Sequence, residues 1–195
     1  GVSPVPWEGN PSPRTTEGPA SNLNAVGLQN PGVDHYLVDD LPKLKKIGAT
    51  VIANVAGHCD EDYCEVVAKL ADCDADMLEI NVSCPNVTHG GMSVGTDPVA
   101  LSKLMDKLRP MTDKPMIVKL TPNVTNITDP ARAAVEHGAD ALSMINTLLG
   151  MRLNIKTGEP IIANRTGGVS GPAVLPVGIA AVYRVRTALP EVPII

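Results

Sequence analysis

Residues 76–82 read Asp-Met-Leu-Glu-Ile-Asn-Val, a short and mostly apolar stretch that predicts a strand. Periodic stretches on either side predict helices, at residues 61–70 before it and 98–109 after it. The same order recurs along the chain, and the first four strand starts lie roughly 25–40 residues apart, which fits repeated βα units joined by right-handed crossovers. The predicted strands cover residues 49–54, 76–82, 115–120, 140–145 and 192–195, and the predicted helices cover residues 61–70, 98–109, 130–137 and 172–189.

Capping and turn residues mark the ends of the predicted helices. Asp97 and Asp129 each precede a proline, so each is predicted as an N-cap acceptor with proline at the first helical position. Gly48 and Gly138 lie where a helix end needs a left-handed residue, and a predicted strand follows each of them. Residues 1–35 are rich in Pro, Gly and Asn without a sustained period, and we expect them to form an ordered loop region.

Repeated βα units predict either a (β/α)8 barrel or a doubly wound sheet. A full barrel needs roughly 250 residues, whereas this chain has 195. We therefore expect a single α/β domain over residues 1–195, the central part of a (β/α)8 barrel. This barrel is expected to be incomplete at both ends, with about five of the eight βα units present.

Composition excludes several classes of function. Aromatic residues make up 2% of the chain and Phe is absent, so the core must consist of Val, Ile, Leu, Ala and Met, as in buried parallel strands. The net charge is −5 without a Lys/Arg cluster, which argues against nucleic acid as a partner. No apolar run is long enough to span a membrane. The four cysteines show no C-x-x-C pair and no secretory signal precedes them, so reduced thiols and a cytoplasmic location are expected.

Polar side chains lie at the ends of the first four predicted strands. Asn54 ends the first, Asn81 lies at the end of the second before residues 83–86, Lys119 ends the third, and Asn146 follows the fourth. In a barrel the carboxyl ends of the strands meet at the active site. Neither a carboxylate pair nor a metal-ligand cluster accompanies them, so this rim of neutral hydrogen-bonding groups and one cation suits a planar, polar, anionic ligand. Any single Asn is also explained by its preference for turns.

Several motifs, in order along the chain, resemble those of the dihydroorotate dehydrogenase family. Residues 81–87 read Asn-Val-Ser-Cys-Pro-Asn-Val and precede His89-Gly90-Gly91 and Gly95-Thr96-Asp97-Pro98. The other motifs are Asn-Ala-Val-Gly-Leu-Gln-Asn-Pro-Gly at residues 24–32, Val-Lys-Leu-Thr-Pro-Asn-Val at 118–124, Met-Ile-Asn-Thr-Leu at 144–148 and Gly-Gly-Val-Ser-Gly at 167–171. The resemblance covers nearly the whole chain.

The resemblance implies an oxidoreductase that converts dihydroorotate to orotate on FMN, in de novo pyrimidine and UMP biosynthesis. Position 84 is cysteine rather than serine, and in this respect the chain resembles class 1 of the family. Residues 95–98 and 146–150 resemble the corresponding motifs of subclass 1B. That subclass implies a catalytic subunit, typically a homodimer, that passes electrons to NAD through a partner subunit carrying FAD and a 2Fe-2S cluster.

The resemblance also implies roles for individual residues. Cys84 would be the general base, and Lys119 would stabilise the negative charge that gathers near flavin N1. Residues 167–171 are expected to form a turn that offers backbone N–H groups to the flavin phosphate at a helix N-terminus, and His89 is expected to be a structural loop residue. The implied substrate-binding residues are Asn24, Gly27, Leu28, Asn81, Asn86, Asn146 and Thr147, and the implied cofactor-binding residues are Asn54, Asn81, Lys119, Ile145, Ser170 and Gly171.

Two alternatives remain open at the level of the sequence. A dihydropyrimidine dehydrogenase-type flavoprotein shares the Asn-x-Ser-Cys-Pro motif and acts on uracil or thymine. An inactive, truncated binding fragment is the second alternative, because the family pattern is expected to extend beyond both Gly1 and Ile195. The missing parts would be the first two barrel strands and two glycine-rich phosphate loops.

Overall fold

The computed structural model describes residues 1–83 and 94–195. Its strands are β1 (Thr15–Gly18), β2 (Ser21–Asn24), β3 (Ile52–Val55), β4 (Met77–Asn81), β5 (Met116–Lys119), β6 (Ala141–Ser143), β7 (Leu148–Met151) and β8 (Thr166–Ser170). Its α-helices are α1 (Val33–His35), α2 (Leu41–Lys46), α3 (Asp60–Leu70), α4 (Pro98–Leu108), α5 (Thr128–Glu136) and α6 (Leu175–Ala188). A π-helical segment, Tyr36–Asp40, joins α1 to α2, and 3-10 turns lie at Val94–Thr96, Arg109–Met111 and Pro172–Val174.

A parallel sheet of β3, β4, β5 and β6 forms the centre of the fold, with its strands in the order of the chain. Helices α3, α4 and α5 connect successive strands. Parallel bridges extend the sheet at both edges, from Val2 to Val55 and from Leu142 to Ile194. A doubly wound sheet reverses its strand order at a switch point, and the described strands keep one direction. This sequential order confirms the predicted α/β class and is the order of a (β/α)8 barrel.

One face of the parallel sheet is apolar and packs against the helices. Val55, Ile80, Val118 and Leu142 lie side by side in register across the four strands, and none of them is accessible to solvent. Burying each such side chain contributes about 1.5–3 kcal/mol. Helix α3 packs onto this layer through residues spaced as one helical face, Tyr63, Val66, Val67 and Leu70.

A second, antiparallel sheet has the order β1-β2-β8-β7. The prediction of a loop for residues 1–35 is therefore wrong in part, since β1 and β2 form a hairpin whose register pairs Thr15 with Asn24. The hairpin is held by a distant strand, because Asn24 pairs with Gly168 of β8. This sheet brings residues from the start of the chain to the segment that follows β6.

The two predicted helix caps have different outcomes. Asp97 is confirmed, because its side chain accepts a hydrogen bond from Val99 N at 2.9 Å. Asp129 is wrong as a cap, because α5 begins at Thr128 and Asp129 lies inside its first turn. The N-cap position is Ile127, which makes no side-chain capping hydrogen bond. Asn126, one residue earlier, accepts from both the backbone N–H and the hydroxyl of Thr128.

The remaining local predictions concern glycines and cysteines. Gly48 and Gly138 are confirmed as left-handed residues, with φ values of 73° and 99°. Cys59, Cys64 and Cys73 are free thiols of intermediate exposure. Within residues 1–83 and 94–195, none of the helices combines the length and the apolar character that a membrane crossing requires.

Candidate functional site at the carboxyl ends of the parallel strands

The second face of the parallel sheet is polar at the carboxyl ends of its strands. Asn81, Lys119 and Ser143 lie in register across β4, β5 and β6. Asn54 and Glu79 are paired two residues earlier along the same face. Asn81 and Ser143 are only 6% and 7% exposed, so these two members of the polar row are buried. Three of the four predicted strand-end residues therefore lie on one face.

Lys119 and Ser143 have side-chain groups without a described partner. Lys119 Nζ forms no hydrogen bond or ion pair with any residue in the described ranges, although its backbone oxygen accepts from Ser83 Oγ at 3.1 Å. Ser143 Oγ is buried and has no hydrogen-bond partner within the same ranges. A buried polar group without a partner costs about 1–3 kcal/mol. The pair is therefore suited to hold a ligand that supplies the missing acceptors.

Glu79 lies on the same polar face and was not among the residues predicted from the sequence. Its carboxylate accepts a short hydrogen bond from Asn54 Nδ2 on the neighbouring strand. The sequence of β4 contained the information needed to find it. Side chains alternate between the two faces of a strand, so Met77, Glu79 and Asn81 must share one face. An acidic residue on the same face as the predicted Asn81 was therefore detectable.

The end of β4 is held by two hydrogen bonds just before residue 84. Tyr63 of α3 donates from its hydroxyl to the backbone oxygen of Asn81 at 2.8 Å, and the Asn81 side chain accepts from Ser83 N at 3.3 Å. These bonds fix where the chain leaves the sheet. The predicted general base Cys84, the predicted substrate ligand Asn86 and the predicted structural residue His89 lie outside the described residues.

Asn24 and Thr147 both lie next to Gly168, a residue of the antiparallel sheet. Asn24 Nδ2 donates to Gly168 O at 3.4 Å, and a Cβ on Gly168 would lie only 2.1 Å from Thr147 Oγ1. Glycine is therefore required at position 168. Asn146 is tied to the same region, because its backbone N–H donates to Leu120 O and its side chain accepts from Thr147 N at 2.8 Å. The structure thus brings Asn24 to the same region as Asn146 and Thr147, two predicted substrate-binding residues that lie far from it in the chain.

Gly27 and Leu28 form a left-handed bend, with φ values of 78° and 54°. A side chain at position 27 would collide with Asn10, whose backbone nitrogen would lie 2.7 Å from the Cβ. Gly1 lies between Leu28 and Asn54, since a Cβ on Gly1 would lie 3.6 Å from Leu28 Cδ2 and 3.0 Å from Asn54 Oδ1. The bend therefore brings Leu28 to the carboxyl end of β3, close to Asn54.

Two predicted cofactor contacts need correction in their geometry. Residues 167–170 belong to strand β8 and do not form a turn, because β2 and β7 pair with them on both sides. The N–H groups that follow Gly171 are also used, since Ala173 N donates to Ala20 O and Val174 N donates to Gly171 O. Ser170 and Gly171 lie at the end of this strand, where the chain enters the turn before α6.

Ile145 lies between the polar rim and α6. Its side chain packs toward the helix, because a Cβ on Gly178 would lie 3.7 Å from Ile145 Cγ1. An additional contact that the sequence did not indicate comes from Asn123, which donates to Thr147 O at 2.9 Å and accepts from Leu149 N.

A separate depression of about 450 Å³ lies at the opposite end of the sheet. Its walls come from the segments that precede β4 and β5, namely Ala71, Asp72 and residues 110–114. None of the predicted site residues lines it. The chemistry-bearing groups are at the carboxyl ends, which is where barrel enzymes place their active sites.

The fold is that of the (β/α)-barrel class, and a row of polar side chains at the carboxyl ends of its strands forms the candidate site. The family model described as "Dihydroorotate dehydrogenase" matches residues 1–195. The chain therefore belongs to the dihydroorotate dehydrogenase family. This result confirms the resemblance found in the sequence motifs.

Similar curated proteins carry the name "Dihydroorotate dehydrogenase B (NAD(+)), catalytic subunit". The chain is 52% identical to the one from Alkaliphilus metalliredigens and 49% identical to the one from Alkaliphilus oremlandii, over 195 residues in each case. It is also 49% identical to the one from Listeria monocytogenes. Each match covers 100% of this chain and 64% of the relative. The chain thus spans somewhat less than two thirds of the length of these relatives.

Proposed function

We propose that the complete protein oxidises dihydroorotate to orotate on FMN, as a step of de novo pyrimidine and UMP biosynthesis. The observation that carries this proposal is the row of Asn81, Lys119 and Ser143 at the carboxyl ends of the parallel strands, in a chain of the dihydroorotate dehydrogenase family. Its unpartnered ammonium and hydroxyl groups match a planar ligand rich in carbonyl and N–H edges.

The residues of the rim fit an isoalloxazine ring. FMN, when bound, would accept the hydride that leaves C6 of dihydroorotate. Lys119 would lie against the ring and stabilise the negative charge that develops there, an electrostatic contribution typically worth about 10²–10³ in rate. Asn54 and Asn81 would hydrogen-bond the ring edges, Ile145 would contribute its backbone, and Ser170 and Gly171 would lie toward the phosphate.

The proton chemistry is assigned to Cys84. Its thiolate would take the proton from C5 of dihydroorotate while the hydride leaves C6, so that the C5–C6 double bond of orotate forms. A free thiol titrates near 8.5, so only part of the enzyme holds the thiolate at neutral pH. The proposed rate of oxidation therefore rises with pH toward the pKa of this thiol.

The substrate is proposed to lie between the rim residues of the parallel sheet and those near the antiparallel sheet. Asn24, Asn146 and Thr147 would bind the pyrimidine ring and the carboxylate, and their convergence at Gly168 supports this placement. Gly27, Leu28, Asn81 and Asn86 would complete the set.

A partner subunit is proposed to carry electrons onward. The similar proteins are named as catalytic subunits of an NAD(+)-linked enzyme, which supports transfer to NAD through a subunit that holds FAD and a 2Fe-2S cluster. We propose a cytoplasmic homodimer of the catalytic chain in this complex. The matched family does not favour either of the two alternatives. These were a dihydropyrimidine dehydrogenase-type flavoprotein and an inactive binding fragment.

The proposal is tested by Cys84→Ala in the complete protein. We expect the rate of flavin reduction by dihydroorotate to fall about 10²–10⁴-fold, the usual contribution of a general base, while FMN stays bound. Cys64→Ala is the matched control, because Cys64 packs against the hydrophobic core and burial raises the pKa of its thiol. A Cys84→Ala variant that reduces its flavin at the wild-type rate contradicts the assignment.

A further inference from the structure

Glu79 lies on the polar face of the parallel sheet, on β4 between Met77 and Asn81. It is partly buried. It forms no ion pair with a Lys, Arg or His in the described part of the chain, and the positive group that interacts with it electrostatically is the ammonium of Gly1. Its described partner is the side-chain amide of Asn54, which lies directly beside it in the register of β3 and β4. An acidic side chain in this location demands an explanation, because buried carboxylates are normally paired with a cation.

The hydrogen bond fixes the orientation of the Asn54 carboxamide. A carboxylate only accepts hydrogen bonds, so the NH₂ end of Asn54 must face Glu79. The carbonyl Oδ1 is then turned away from Glu79 and is left as an acceptor, together with the second hydrogen of Nδ2. Among the described residues, Glu79 is the one that hydrogen-bonds the Asn54 side chain, and Asn54 Oδ1 lies next to Gly1. Glu79 therefore fixes the NH₂ end of the amide and leaves the Oδ1 end directed toward Gly1 and the rim.

Glu79 also sets the charge balance of the rim. Glu79 and Lys119 lie on adjacent strands, and their side chains are on the same face of the sheet. Asn81 pairs with Lys119, and Glu79 lies two residues before Asn81 on the same strand. Their charged groups do not reach ion-pair distance within the described structure. A negative charge at this depth opposes the negative charge that a flavin gains on reduction, whereas Lys119 favours it.

We propose that Glu79 is a positioning residue of the flavin site, which orients Asn54 toward the cofactor and lowers the flavin reduction potential through its charge. This inference rests on the proposed FMN-dependent function. Glu79 does not touch the reacting atoms in this account; it acts through Asn54 and through its electric field.

The test uses the complete protein and two substitutions that separate geometry from charge. Glu79→Gln keeps an oxygen acceptor for Asn54 and removes the charge, whereas Glu79→Ala removes both. We expect the FMN dissociation constant to change less than about threefold in Glu79→Gln and to rise about tenfold in Glu79→Ala, the effect of one lost hydrogen bond. The flavin midpoint potential should move upward in both variants. Glu65→Gln, an exposed acid on α3 that pairs with Lys69, is the control and should change neither quantity.

A double-substitution cycle decides whether Glu79 acts through Asn54. The variants Asn54→Ala and Glu79→Ala should weaken FMN binding non-additively, so that the double variant binds FMN about as well as Asn54→Ala alone. Strictly additive effects overturn the positioning role, and an unchanged midpoint potential in Glu79→Gln overturns the electrostatic one. If Glu79→Ala does not fold, Glu79→Leu, which also removes the acceptor but keeps more of the side-chain volume, takes its place in the cycle with Asn54→Ala, and Glu79→Gln still decides the electrostatic role.

Failure of this inference is distinguishable from failure of the proposed function. A wild-type protein that binds no FMN overturns both. A wild-type protein that binds FMN, with Asn54→Ala weakened and the Glu79 variants indistinguishable from wild type in affinity and potential, overturns only the role of Glu79.

Discussion

The two ends of the parallel sheet differ in how their charges are satisfied. At the amino ends of the strands, Lys45 pairs with Asp76 at 2.8 Å and Arg109 pairs with Asp140 at 3.0 Å. At the carboxyl ends, the ammonium of Lys119 has no partner in the described ranges. Both ends are built on the same four strands, so the difference comes from the side chains and not from the backbone.

We interpret this difference as a division between groups that stabilise the fold and groups that are available to a ligand. At the amino ends, Asp76 also accepts from Val51 N, and Asp140 also accepts from Met116 N, so both carboxylates tie a loop to the first residues of a strand. At the carboxyl ends, the buried hydroxyl of Ser143 has no described partner. Barrel enzymes follow the same division, with stability at the amino end and catalysis at the carboxyl end.

Among the tests that compare the two ends of the sheet, the largest effect is expected from Lys119→Met in the complete protein. Methionine keeps the apolar stem and removes the charge, so the rate of flavin reduction by dihydroorotate should fall about 10²–10³-fold, as for loss of a preorganised electrostatic contact. The free energy of unfolding should change little, because Lys119 forms no ion pair within the described chain.

The matched control for this change is Lys114→Met at the amino end. Lys114 Nζ donates to Cys73 O at 2.7 Å, so its loss should lower stability and leave the rate of flavin reduction unchanged. The comparison breaks if Lys119→Met destabilises the protein as much as Lys114→Met does, or if Lys114→Met slows flavin reduction.

A smaller effect, on stability alone, is expected from Arg109→Met. The Arg109 guanidinium donates to Asp140 at 3.0 Å and to Lys114 O at 3.0 Å, and it also donates to Thr112 O. Losing this cluster should lower the free energy of unfolding by about 2 kcal/mol, measured by chemical denaturation. The turnover of the folded enzyme should not change, and a large loss of turnover at full flavin occupancy would show that the amino end also serves catalysis.

The smallest expected effect is a pH dependence at the same end. The hydrogen bond from Lys45, followed by that from Val51 N, holds the pKa of Asp76 below its ordinary value of 3.8. Because the folded-state pKa is the lower one, Asp76 stabilises the protein above its ordinary pKa, and this contribution is lost as the pH falls through the folded-state pKa. Asp76→Asn should therefore flatten the loss of stability below about pH 4. An acid-denaturation curve as steep as that of the wild type would show that Asp76 contributes nothing there.

The parallel half of the fold could be predicted from the sequence because its signals are local. Apolar runs and helical periodicity gave the existence of β3 to β6 and their helices, with boundaries displaced by a few residues. The clustering of Asn54, Asn81 and Lys119 followed from the rule that carboxyl ends of parallel strands meet at one edge. Asp97 was found as a cap because its acceptor lies within its own turn.

The antiparallel sheet could not be predicted in the same way. β1 reads Thr-Thr-Glu-Gly and β2 reads Ser-Asn-Leu-Asn, so neither shows the alternation that marks a half-buried strand. Their stability comes from pairing with β8, more than a hundred residues away, as the register of Asn24 with Gly168 shows. The contact of Thr147 with Gly168 could not be predicted from the sequence for the same reason, because it depends on pairing between distant segments.

The central claim is that the carboxyl end of the sheet is a flavin site that oxidises dihydroorotate. The most direct measurement is the visible flavin absorbance of the complete, purified protein under anaerobic conditions, before and after addition of dihydroorotate, with dihydrouracil added to a parallel sample. The account predicts a flavin spectrum that bleaches with dihydroorotate and persists with dihydrouracil. A protein that holds no flavin, or a flavin that bleaches with dihydrouracil and not with dihydroorotate, would contradict it.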